Sequence, residues 1–217
     1  MFFMTVIWIE ILVILALILL NGFLSMSEIA IVSARKVRLM QMAEAGQAGA
    51  RTALELAQQP GRFLSTVQIG ITLVGILTGV FGGATVSEEL ARVLSSMPIL
   101  GPYSESLGVG IVVLLTTYLS LLFGELVPKQ IALNSIESIA ATVAPFMRRL
   151  SRLTAPIVHL LTHSSTIVLR MLKVKPSGEP FFTEEDIRGL MEQGVEEGIF
   201  EPEEEEMMQQ VFRLGDR

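Results

Sequence analysis

Leu121-Leu122-Phe123-Gly124-Glu125-Leu126-Val127-Pro128-Lys129 ends an apolar run that starts at Gly108. Up to Phe123 its only polar side chains are Thr116, Thr117, Tyr118 and Ser120. A carboxylate, a proline and a lysine then arrive between positions 125 and 129. Pro128 has no backbone N–H and cannot donate to the carbonyl four residues back. That carbonyl belongs to Gly124, the neighbour of Glu125. In a helical segment a free C=O and a carboxylate then lie side by side at membrane depth. Both are hard oxygen donors of the type magnesium, calcium or sodium prefers. An ionisable group inside a span is expensive and points to function by default. The plainer alternative is that Glu125 pairs with Lys129 one helical turn on. If Glu125 is an ion ligand, Lys129 is read as a snorkelling anchor at the interface.

The same kind of run occurs twice more, and 51% of the 217 residues are hydrophobic. This predicts an all-α integral membrane protein with three transmembrane helices, amphipathic juxtamembrane helices and a short acidic helical segment. With no cysteine, a disulfide framework and a thiolate metal site are excluded. His159 and His163 are the only histidines. They are one turn apart but lack a nearby acidic or thiol partner, so a zinc pair is disfavoured. No nucleophile–base pair is visible, and an enzyme is not expected. The net charge of −6 divides unevenly: the residues from Glu179 on carry 13 acids and 3 bases, the rest 9 acids and 13 bases.

The spans are placed at roughly 4–33, 61–83 and 108–131. The first breaks its apolarity at Asn21, Ser25 and Glu28, which share one helical face. Residues 34–60 read as one or two surface helices. The second span carries Gln68, Thr72, Gly75 and Gly79 along one stripe, and Gly75-x-x-x-Gly79 predicts close approach of another helix. Residues 84–107 read as a short helix plus a loop. In the third span Thr116, Ser120 and Gly124 form a stripe leading to the proline. Pro145 and Pro156 are expected to divide 136–172 into two or three helices, and Arg148, Arg149 and Arg152 are expected to meet anionic lipid heads. The expected parts are a membrane core at 1–134, juxtamembrane helices and linker at 135–178, and an acidic helical segment at 179–217, with a helix starting at Thr183 and stopping near Gly198.

Five basic residues lie in 34–62, one in 84–107, and seven between Lys129 and Lys175. The positive-inside rule puts the N-terminus outside and the acidic segment in the cytoplasm. A fourth span at 153–172 would reverse that against the seven basic residues, so three are read.

The stretches LNGFLSMSEIAIVSAR, LSTVQIGITLVGILTG and LFGELVPKQIAL, in this order, resemble the CorC/CNNM (cyclin M-like) family. The tail FTEEDIRGLMEQGVEEGIFEPEEEEMMQQVFRLGDR is similar to the segment that leads into that family's paired CBS domains. The resemblance implies a homodimer in a bacterial-type inner membrane that moves Mg2+, commonly described as sodium-dependent export, with Na+ as coupling ion. It also implies a CBS pair, the only place for ATP, of which this chain carries just the beginning. On matched positions it implies metal ligands at Ser25, Gly124 and Glu125. Other members show asparagines where this chain has Ile71, Thr72 and Gly75, which leaves open whether the Thr72 hydroxyl, a carbonyl near Gly75, or neither reaches the ion. Asn21, Glu28, Ser120 and Lys129 are supporting candidates, although Glu28 is expected to pair with Lys36 or Lys129. The expected partners are a second copy, the lipid bilayer and Mg2+, with no nucleic acid. The alternative is a membrane magnesium sensor or scaffold that regulates another transporter.

Overall fold

The computed structural model describes residues 2–82, 86–97 and 100–172, with isolated positions beyond. Apart from those isolated positions, the acidic segment read at 179–217, including its Thr183 start and Gly198 stop, lies outside the described residues, as does the linker from Lys173 on. The chain divides after Ser165 into two compact units.

Among the described residues the fold is all-helical. Among the same residues three stretches are long and apolar enough to cross a membrane: Ile7–Ser33, Pro60–Phe81 and Gly101–Asn134. The first belongs to α1 (Phe2–Ser33). A helical pair follows, α2 (Lys36–Glu44) and α3 (Ala48–Gln58). It reverses at Gly46, whose φ of 90° needs a residue without a side chain. The Gly46 N–H donates to the Ala43 carbonyl (3.1 Å) and the Gln47 N–H to the Met42 carbonyl (3.1 Å), which closes the last turn of α2. The second span is α4 (Pro60–Phe81), with proline in its first turn where no N–H is needed. A short α5 (Ser87–Ser95) leads to the third span. That span is composite: a 3-10 turn at Gly101–Tyr103, α6 (Ser104–Leu121), one π-helical turn at Leu122–Leu126, and α7 (Val127–Asn134).

The last helix, α8 (Ile136–Met171), corrects an expectation. Pro145 and Pro156 do not divide it; both lie inside one 36-residue helix. Each proline removes one helical hydrogen bond. The continuous stripe Ala140, Val143, Ala144, Met147, Ser151, Thr154 and Val158 is buried along its length and offsets that loss. The Ala141 carbonyl, deprived of its donor by Pro145, faces α3 at Gly49, where a Cβ would collide with it. Thr66 of α4 lies 3.3 Å from the hydroxyls of both Ser151 and Thr154, and Phe23 meets Phe146 edge-on at 5.3 Å.

The core gathers at one end of the spans, where Leu24, Ile31, Leu39, Ala53, Phe63, Val67, Ala132 and Met147 are buried together. There Arg35 pairs with Glu137 (3.2 Å) and Arg148 with Glu55 (3.3 Å). Burial on its own would raise the Glu137 carboxyl. Its own backbone N–H, the Arg35 hydrogen bond and the charge of Arg38 more than offset this and hold it below the usual carboxylate range. Toward the other end Trp8, Leu12, Leu19, Ile76, Val80 and Leu114 are exposed, the surface expected of helices that face lipid.

Candidate functional site

The backbone changes character where the sequence places Pro128. One π-helical turn, in which the Val127 N–H reaches back to the Leu122 carbonyl, joins α6 to α7. Single π turns inside helices commonly mark functional sites. Proline cannot supply the Gly124 carbonyl with a helical donor, and the donor comes from another span: Asn21 Nδ2 of α1 reaches it at 3.0 Å. That contact fixes the amide orientation, because a carbonyl oxygen only accepts. The other end of the amide, Asn21 Oδ1, is buried and has no hydrogen-bond partner.

Two glycines let the helices come this close. A Cβ on Gly22 would lie 2.6 Å from the Phe123 carbonyl oxygen and 2.8 Å from Pro128 Cγ; one on Gly124 would lie 3.1 Å from Asn21 Nδ2. Ser25, only 2% exposed, sits one turn beyond Asn21 on the same face of α1. Glu125 is bound to Lys129 at 2.8 Å, and both side chains stay partly accessible, at 43% and 31%. The i,i+4 pairing that the sequence offers as the plainer alternative is therefore present. The Lys129 ammonium occupies one oxygen, Oε1, of that carboxylate.

The remaining candidates go elsewhere. Thr72 lines a cleft of about 690 Å³ together with Glu28, Ser65 and Gln68, walled by apolar side chains such as Leu73 and Leu161. Gly75 and Ser120 line a second cleft of about 260 Å³, between α4 and α6, with Thr78, Gly79, Thr116 and Thr117. The single stripe of α4 thus serves two clefts, Gln68 and Thr72 in one and Gly75 and Gly79 in the other. Among the described residues of this chain no helix comes close at Gly75 or Gly79, where a Cβ meets nothing within 4 Å. The close contact of α4 is at Gly70, where a Cβ would come 2.9 Å from Leu24 Cδ1.

Glu28 is in no ion pair with Lys36 or Lys129; Lys129 is held by Glu125, and Glu28 turns into the larger cleft instead. His159 and His163 are both exposed on α8, and among the described residues no three His, Cys, Asp or Glu side chains cluster as metal ligands. The sequence reading passed over Glu10, a half-buried carboxylate inside the first span. The signal was available: Glu10 is the only charged side chain before Glu28.

Residues 12–204 match the family described as the cyclin M transmembrane N-terminal domain. A UPF0053 protein of Synechocystis sp. is 52% identical over 208 residues, which cover 96% of this chain and 46% of that protein. Proteins named polyamine export protein are 31% identical in Haemophilus influenzae, over 95% of this chain and 48% of that protein, and 32% identical in Escherichia coli, over 96% and 46%. The chain therefore spans about half the length of these curated relatives.

Proposed function

Since this chain belongs to the cyclin M transmembrane family, we propose that it is the membrane part of a cation exporter and that its cargo is Mg2+, moved in exchange for Na+. The observation that carries the reading is the junction of α1 with the π turn. There Asn21 Nδ2 of one span meets the Gly124 carbonyl of another, Glu125 is the next residue in the chain with its carboxylate on Lys129, and Ser25 is one turn from Asn21; these groups supply the oxygens from which we build the site. Magnesium prefers oxygen ligands near octahedral geometry and gives up water reluctantly. Fixed protein oxygens plus one charge are what such a site requires. Irregular backbone at membrane depth is tolerated where it lines a cavity or is buried in protein, and broken spans commonly carry the ion sites of transporters. In this reading the protein is a homodimer in the cell membrane, with the N-terminus outside and the core of α2, α3 and α8 on the cytoplasmic side, as the charge distribution of the connections argues.

The test is Mg2+ flux in proteoliposomes containing the full chain, wild type against Glu125→Gln, with and without a sodium gradient. Flux that needs both Glu125 and sodium is the expected result. Flux undiminished in the variant removes the site. Binding that depends on Glu125 without flux favours a magnesium sensor or scaffold.

A second reading has its own observation. The Glu28 cleft joins one carboxylate to three polar side chains and a long apolar wall. This composition suits an aliphatic polyamine, whose ammonium groups seek oxygen and whose methylenes seek apolar surface, and the relatives in Haemophilus influenzae and Escherichia coli carry the name polyamine export protein. Spermidine binding that falls with Glu28→Gln and not with Glu125→Gln would favour it over Mg2+.

A further inference from the structure

We infer that the arginine-lined cleft where α3, α4 and α8 meet is a binding site for the phosphate of an anionic membrane lipid. The cleft has a volume of about 260 Å³ and is lined by Arg62, Arg148 and Arg152 together with Glu55, Gln59 and Ser151. It is separate from the joint at Asn21 and from both clefts of the α4 stripe.

Three arginines and one carboxylate line it. Glu55 is engaged by Arg148 at 3.3 Å, and among the described residues neither Arg62 nor Arg152 belongs to an ion pair. Arginine presents a planar fork of N–H donors that matches phosphate oxygens, and it gives up its water more readily than lysine. Two such forks come from different helices, Arg62 from α4 and Arg152 from α8, so the packing of these helices positions the pair. Ser151 adds a hydroxyl, and its helix is fixed against α4 by the contact with Thr66.

The start of α4 points to an anion independently. Its first turn holds no acidic residue, and Gln59 makes no side-chain capping hydrogen bond. The Phe63 N–H is satisfied by the Gln59 carbonyl at 3.2 Å, but the N–H groups of Gly61 and Arg62 have no carbonyl within the helix to reach. The positive end of a 22-residue helix therefore lies at the cleft.

Position selects the source of the phosphate. Pro60 begins a membrane span, so the cleft lies at the depth where that helix leaves the apolar layer, the level of lipid phosphates. Basic residues at that level attract anionic lipid. A soluble phosphate has the same chemistry but no second anchor, whereas a lipid is held by its chains as well.

The experiment places the full chain in nanodiscs of pure phosphatidylcholine or with graded phosphatidylglycerol and follows thermal unfolding and lipid retention. Arg62→Gln/Arg152→Gln is compared with Lys36→Gln/Arg51→Gln, which removes the same charge outside the cleft. Phosphatidylglycerol should stabilise the wild type and the control pair alike. Its apparent affinity should fall at least about tenfold in the cleft pair, the loss of charge-assisted hydrogen bonds to the phosphate, with unfolding in phosphatidylcholine unchanged. Equal loss in both pairs would mean general charge attraction and overturn the site. So would a cleft pair that is equally destabilised in phosphatidylcholine, which would make the arginines structural. Stabilisation by inorganic phosphate as strong as by phosphatidylglycerol would reassign the site to a soluble phosphate group and overturn the lipid.

Discussion

At the scale of single residues, Asn21 carries the most weight in the candidate site. Its Nδ2 satisfies a carbonyl that Pro128 leaves without a donor, and its Oδ1 is buried without a partner. A buried acceptor left unsatisfied costs about 1–3 kcal/mol, so a purely structural role would be filled better by another side chain. Asn21→Leu removes the orphan oxygen together with the donor. The expected outcome is a melting temperature within a few degrees of wild type and Mg2+ affinity at least about tenfold lower, the loss of one charge-assisted oxygen contact. Asn21→Asp keeps the oxygen but turns a repelling carboxylate on the Gly124 carbonyl. It should melt lower than wild type without Mg2+ and recover when Mg2+ is added. Equal destabilisation with and without Mg2+ would make Asn21 a packing residue only.

At the scale of elements, the joint between α1 and the third span rests on glycine. A Cβ on Gly22 would meet a backbone oxygen at 2.6 Å, and that oxygen cannot swing aside as a side-chain tip can. Gly22→Ala should destabilise the folded protein by about 1–3 kcal/mol, the usual range for overpacking, measurable by denaturation in detergent. Gly75→Ala and Gly79→Ala, where the space is open, should leave stability near wild type. The docking of α8 depends on pH through Glu137. A depressed carboxyl contributes stability that is fully present above its unfolded pKa of about 4 and is lost as pH falls through the folded value. Glu137→Gln should therefore melt below wild type at neutral pH, and the two curves should converge as the buffer is acidified below about pH 4. A difference that persists in acid would locate the stabilisation elsewhere.

At the scale of the whole molecule, the two clefts along α4 follow one another. One is lined from Leu64 to Ile76 and the other from Gly75 to Gly82. At 1.5 Å per residue they together cover about 27 Å of helix, close to the thickness of a bilayer core. A cation that crosses along α4 would meet the Glu28 cleft on one side and the hydroxyl-lined cleft on the other, with Thr72 and Gly75 where they adjoin. The chain has no cysteine, so single cysteines report without background. Gln68→Cys should react with a membrane-impermeant thiol reagent applied from the cytoplasmic side only, and Gly79→Cys from the outside only. Both positions inert from both sides would mean that lipid or a second copy fills these clefts.

The sequence by itself determined that this is a three-span helical membrane protein, because unbroken apolar runs of that length have few other stable homes. It also determined the singular point of the third span, since a proline always deprives the carbonyl four residues back. The polar, helix-prone residues ending at Pro60 read as one helix or two, and the structure decides for two. Only the tertiary structure decided who answers the freed carbonyl: Asn21, 103 positions away, through a contact that no local periodicity encodes. Only it decided that the α4 stripe is shared between two clefts, because one helix face meets different neighbours along its length. It kept α8 whole across two prolines, since a buried stripe outweighs two lost hydrogen bonds. It also brought Arg62 and Arg152, 90 residues apart, to one cleft, where the sequence showed separate basic residues and no cleft.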